Sequence, residues 1–140
     1  MKHAGLADAI DISGSGWGEE DGAAAARELL PRPSLPTAVI CCSDQSATGF
    51  AAVMGTAGVK IPSELSVVGW DDGYLAALPY HQFTSVRQDL DATAEASLDR
   101  LLRHMSIPGN PRKVVLTPSA LIKRASSGPA APTLPVTLAD

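Results

Sequence analysis

Apolar residues in this chain fall into short continuous runs, separated by stretches in which they recur at every third or fourth position. "TAVICC" (Thr37 to Cys42) and "LSVVGW" (Leu65 to Trp70) are continuous and partly β-branched, as expected of strands covered on both faces. "DAIDISG" (Asp8 to Gly14) alternates enough to predict a short strand, and "FTSV" (Phe83 to Val86) predicts another. The alanine-rich "EEDGAAAARELLPRP" reads as a helix. Its acids Glu19, Glu20 and Asp21 stand where the exposed N–H groups of a helix start favour negative charge, and Pro31 and Pro33 stop it. "SDQSATGFAAVMGTAGVKIP" predicts a second helix, capped by Ser43 or Asp44, with Gly58 and Pro62 beyond its end. From Asp89 onward, Leu90, Ala94, Leu98, Leu101, Leu102 and Met105 mark one face of a third helix that ends near "IPGNP". "RKVVLTPSALIKR" supplies a last pair of short strands around Pro118. After Arg124 the chain turns to proline, alanine and serine, so residues 1–124 are expected to fold and residues 125–140 to form a disordered tail.

Strands alternating with helices predict an α/β fold, a three-layer α/β/α arrangement around a parallel sheet. Ligands of such sheets sit at the carboxyl ends of the strands. Ser43 and Asp44 end one buried run, and Asp71 and Asp72 end the next, so polar groups from separate parts of the chain converge on one edge.

Composition narrows the function. The 140 residues carry eleven basic and fifteen acidic side chains, a formal net charge of −4, which argues against holding nucleic acid by its phosphates. No apolar run is long enough to cross a bilayer, and "MKHAGLADAIDISG" lacks the apolar core of a secretion signal, so a soluble cytoplasmic protein is expected. Cys41 and Cys42 are neighbours whose side chains leave a strand on opposite faces; they read as small buried hydrophobes, with neither a disulfide nor a zinc site between them. His81 and His104 have no sequence partners that would make a triad or a metal site. No phosphate loop, nucleophile elbow or H-E-x-x-H motif is present, so neither enzyme activity nor a cofactor is expected.

The order of "TAVICCSD", "GVKIP", "SVVGWDD" and "FTSVRQ" resembles the lac and gal repressor family of bacterial transcription regulators. The effector-binding core of that family is like a periplasmic sugar-binding protein. The resemblance runs from about Trp17 to Arg124. It implies a flavodoxin-like C-terminal lobe in a truncated form, followed by hinge crossings and one helix of the N-terminal lobe. The family's helix-turn-helix head, hinge helix and first half of the N-terminal lobe have no counterpart here, nor do the first strand and helix of the C-terminal lobe. DNA contact would then belong only to a head outside this chain.

The resemblance also assigns roles. Asp71 is implied to contact a small-molecule effector, a sugar or a purine-like ligand, the alternative being that it caps a turn. Asp72 belongs to that turn. Trp17 is read either as an aromatic stacked on the effector or as core. Ser43 and Gln88 match polar positions lining the cleft, while Asp44 is expected to cap its helix more than to touch ligand, and Arg87 to serve the hinge. A homodimer is implied through the helix from Ser46 to Val53, which includes Thr48, and through the loop holding Tyr74, Leu75 and Leu78. Two other functions fit the same core: a fragment of a transport system's sugar-binding protein, and a dimerisation remnant without ligand binding.

Overall fold

The computed structural model describes residues 11, 14, 16–107, 111 and 113–130. Four helices and four strands alternate in the order α1 (Glu19–Leu29), β1 (Ala38–Ile40), α2 (Asp44–Thr56), β2 (Ser66–Trp70), α3 (Tyr74–Ala77), β3 (Thr84–Gln88), α4 (Leu90–Ser106) and β4 (Ser119–Ile122). The strands make one sheet in the order β1-β2-β3-β4. β1, β2 and β3 are parallel, with Val39 opposite Val67 and Gly69 opposite Ser85, whereas β4 returns antiparallel to β3, with Leu121 opposite Val86. The α/β class is as predicted; the sheet is mixed because β4 is the return of a chain that left along β3.

α2 packs on β2, and both α1 and α3 pack on α2. The core lies in this stack: Phe50 and Met54 of α2 meet Leu65, Val67 and Phe83, with Ala26 and Leu29 closing it from α1. Gly22 and Gly49 let the two helices touch backbone to backbone. A β-carbon at Gly22 would overlap the Ser46 carbonyl, and one at Gly49 the Glu19 carbonyl.

Several sequence expectations change. β1 is not covered on both faces: Ala38 is exposed and Ile40 is 67% exposed, because the strand pairs only with β2 among the described residues. The strand expected over Asp8 to Gly14 falls outside the described residues except for Asp11 and Gly14. α4 forms with its predicted apolar stripe, and Asp89 caps it by accepting from the Ala92 N–H at 2.9 Å. Yet none of its residues is buried. Of the two strands expected around Pro118 only β4 forms. β3 gives way to α4 after Gln88, which leaves residues 113–117 no ladder to join.

The segment after Arg124 is ordered at its beginning. Ser126 is buried between the starts of β2 and β3, where its backbone receives the Val67 N–H and donates to the Gln82 carbonyl. Its hydroxyl donates to the Val67 carbonyl and accepts from the Thr84 N–H. The expected disordered tail therefore gives way to packed chain at Ser126, whose polar groups complete the two strands; residues 131–140 lie outside the description.

Candidate functional site

The carboxyl ends of β1, β2 and β3 meet at one edge of the sheet, and a buried carboxylate ties them together. Asp44, in the first turn of α2, is 4% exposed; its Oδ2 accepts from the Gly73 N–H and its Oδ1 from the Ser85 hydroxyl, both at 2.7 Å. Gly69 has no side chain because that space holds the Asp44 carboxylate. The helix cap is Ser43 alone, whose hydroxyl accepts from the Ser46 N–H at 3.0 Å and donates to the Trp17 carbonyl at 2.5 Å. Asp44 is thus neither a cap nor exposed to a ligand, and Ser43 is buried with its hydroxyl engaged. Ser43 caps α2 as one of the two expected candidates, and Ser43 and Asp44 together fix the rim on which the exposed groups stand.

Those exposed groups are Trp17, Asp71 and the end of Gln88. Trp17 is 69% exposed, which removes the core reading; its backbone is held at the start of α2 while its indole faces outward. Asp71 follows β2 with φ +103°, and Asp72 continues at φ +53°. Two successive non-glycine residues in the left-handed region are strained, and such a turn persists only where its surroundings hold it. Three anchors do so here. The Asp71 N–H donates to the Val86 carbonyl and the Asp72 N–H to the Ser85 hydroxyl, each at 3.0 Å. The third is the Asp72 side chain, 1% exposed, which lies between two guanidiniums: Arg87 Nε donates to its Oδ2 at 2.6 Å, and Arg124 Nη2 stands 2.6 Å from its Oδ1.

Held this way, Asp71 turns its carboxylate outward and accepts from Gln88 Nε2 at 3.2 Å. Partial burial and the nearby Asp44 charge raise its pKa above the ordinary aspartate value, and the Gln88 hydrogen bond opposes them. That hydrogen bond makes the carboxylate and the amide neighbours, and each side chain has a further oxygen that can accept from a hydroxyl. Trp70, also partly exposed, adds an aromatic next to Asp71 that the sequence reading assigned to a buried strand. Arg124 and Ser85 were missed as well, and only the charged residue following "SALIK" hinted at the first.

The dimer positions separate by exposure. Tyr74 is 78% exposed, while Leu75 and Leu78 are half-buried because Tyr74–Ala77 coils into a single helical turn that carries Ala76 into the core. Thr48 is half-buried, its hydroxyl donating to the Asp44 carbonyl at 2.9 Å. Cys41 is buried, and burial, with Cys42 and Asp44 adding, pushes its thiol up to about 12; Cys42, beyond the end of β1, is exposed, contrary to the buried reading, and its thiol donates to the Gly16 carbonyl at 3.0 Å. Among the described residues no group of three or more His, Cys, Asp and Glu side chains is placed to hold a metal ion, and no helix is long and apolar enough to cross a membrane.

Comparison with known proteins agrees with this architecture. Residues 1–127 match the Periplasmic binding protein-like domain family. The HTH-type transcriptional repressor PurR of Histophilus somni is 28% identical over 127 residues, 89% of this chain and 38% of the repressor. The Ribose operon repressor of Haemophilus influenzae is 32% identical over 107 residues, 76% of this chain and 32% of the repressor. A LacI transcriptional regulator from a Rhodococcus species superposes with a TM-score of 0.82 at 35% identity, covering 93% of this chain and 48% of that one. The transcriptional regulator CelR in complex with cellobiose superposes at 0.73 with 27% identity, covering 90% and 40%. The chain therefore spans less than half the length of these relatives, and it belongs to the periplasmic binding protein-like domain family, as the C-terminal part of the form found in LacI-type repressors.

Proposed function

We propose that this chain is the effector-binding lobe of a bacterial LacI-type transcription regulator and that its effector is a sugar or a related polyol. The observation that carries the reading is the Asp71–Gln88 pair, two adjacent acceptors on a rigid rim with the exposed indole of Trp17 on the same edge. Vicinal hydroxyls of a sugar match the acceptors, and the apolar face of a sugar ring matches an indole. The cellobiose bound by CelR is ligand chemistry of this class. A purine-like ligand would use the same carboxylate and is the comparison to run. A carboxylate and an amide on this rim are groups suited to binding hydroxyls. In the parent regulator, the effector would favour a closed arrangement of two lobes and so alter DNA affinity. Pairing as a homodimer would use the exposed Tyr74 turn, with Leu75, Leu78 and Thr48 around it, and DNA would be reached through a head outside this chain.

Titration calorimetry of the 140-residue chain with free sugars and with purine nucleosides tests the reading. Weak binding of a sugar that disappears in Asp71→Ala is the expected result, because one lobe buries only one side of the ligand. Submicromolar binding that survives Asp71→Ala would place the site elsewhere.

A further inference from the structure

The two consecutive left-handed residues that present Asp71 need an anchor, and the anchor comes from a distant part of the chain. Arg124 follows β4, and its guanidinium divides between two targets: Nη1 donates to the Phe83 carbonyl at 2.8 Å, and Nη2 lies 2.6 Å from Asp72 Oδ1. Its backbone is fixed as well, since the Arg124 N–H donates to Thr84 Oγ1 at 2.9 Å and that hydroxyl donates back to the Arg124 carbonyl at 3.2 Å. The Arg124 side chain is 15% exposed, against 58% for Arg87, which holds the other oxygen of the same carboxylate from outside. The Asp72 side chain is itself only 1% exposed.

We infer that Arg124 is a positioning residue for the effector, acting through Asp72 to hold the left-handed turn in which Asp71 stands beside Gln88. The assignment rests on the functional reading of Asp71, but its structural half does not need a ligand to be tested. The planar guanidinium donates to the Phe83 carbonyl through Nη1 while Nη2 sets its charge against Asp72 Oδ1, which has no hydrogen-bond partner of its own; an ammonium cannot reach both with the same geometry. Arg124 also belongs to the chain returning through β4 along β3, whose last residue is Gln88, so the turn, the acceptor pair and that return strand are joined by hydrogen bonds.

The experiment is nuclear magnetic resonance on the isotope-labelled 140-residue chain, following the Gln88 side-chain amide. In the wild type that amide is expected to shift as Asp71 ionises, because its Nε2 donates to Asp71 Oδ1. Arg124→Gln and Asp72→Asn are each expected to abolish the response while leaving the backbone spectrum of α1, α2 and β2 in place, and Arg124→Lys to retain part of it. Asp72→Asn keeps the Arg124 bonds to Phe83 and Thr84, so it decides the matter if Arg124→Gln does not fold. A Gln88 amide that titrates in the folded variants as it does in the wild type overturns the inference. With ribose and cellobiose as probes, Arg124→Gln is expected to weaken whatever binding the wild type has by roughly tenfold. Unchanged sugar affinity in that variant, where Asp71→Ala abolishes it, likewise overturns the inference. Failure of both sugars to bind the wild type counts against the sugar reading and leaves the amide response to judge the positioning role.

Discussion

A single carboxyl illustrates how this rim is balanced. Asp71 is raised above the ordinary aspartate value, so its ionised form is disfavoured by folding. The penalty is fully present above its folded pKa and absent below the ordinary value, so it is relieved as pH falls through the range between. Asp71→Asn, a residue that tolerates positive φ, is therefore expected to leave the melting temperature at neutral pH unchanged or raise it, with the difference vanishing under acid conditions. Thermal melts from neutral to acid pH check this, and a lower neutral melting temperature in the variant would contradict it. Asp44 matters through its hydrogen bonds. It accepts two short bonds in the core, and Asp44→Ala strands the Gly73 N–H and the Ser85 hydroxyl at a cost on the order of 3 kcal/mol, measurable by urea unfolding. The cysteines divide in the same way, by environment: native alkylation at mildly basic pH is expected to label Cys42 and spare Cys41, and denaturation to expose both, as mass spectrometry would read. The double aspartate marks the rim in sequence, but the tasks of its two members cannot be read there. Which one faces out is decided by Arg87 and Arg124, fifteen and fifty-two positions beyond Asp72, and no local pattern carries that information.

At the level of elements, apolar periodicity placed α1, α2, α4 and the parallel strands, since each is written in local sequence: the acids at the start of α1, the Ser43 cap and the continuous β-branched runs. What it could not place was burial. The α4 stripe has the spacing of a core-facing helix, yet Leu98, Leu101, Leu102 and Met105 all stand exposed, since no described element buries them. Periodicity reports which face seeks cover and is silent on whether cover exists. β4 illustrates a different limit, since a strand needs a neighbour of matching length and β3 stops pairing at Gln88. The α1–α2 contact makes the sharpest prediction at this scale. Gly22→Ala or Gly49→Ala drives a methyl group into the facing backbone carbonyl, which should cost about 1–3 kcal/mol or more and splay the helices that hold Trp17 and Ser43. Circular dichroism melts measure the cost; an undisturbed melting temperature in both variants would refute backbone contact between the helices.

For the whole molecule, the unpartnered surfaces dominate behaviour in solution. The α4 stripe, exposed Val114 and Leu116, and the edge of β1 that no described strand covers are joined by Tyr74 and Tyr80 on the α3 side. Self-association at micromolar concentration is the expected outcome in analytical ultracentrifugation. Tyr74→Asp with Leu78→Asp should give monomers if the α3 turn is the interface, and Leu101→Glu with Met105→Glu should do so if α4 is; a wild type that sediments as a monomer would refute both. The chain alone, at a net charge of −4, is expected to leave operator DNA unretarded in a gel-shift assay, and tight sequence-selective retardation would contradict this. Ser126 has a consequence on another axis, that of time. Its hydroxyl reaches Val67 across 59 positions, and the same residue also serves Gln82 and Thr84. A ribosome that has released β1, β2 and β3 has therefore released strands whose opening polar groups still wait for a partner synthesised dozens of residues later. The lobe closes late in its own translation, and until then the growing chain is at its most exposed to aggregation and most dependent on whatever shields it.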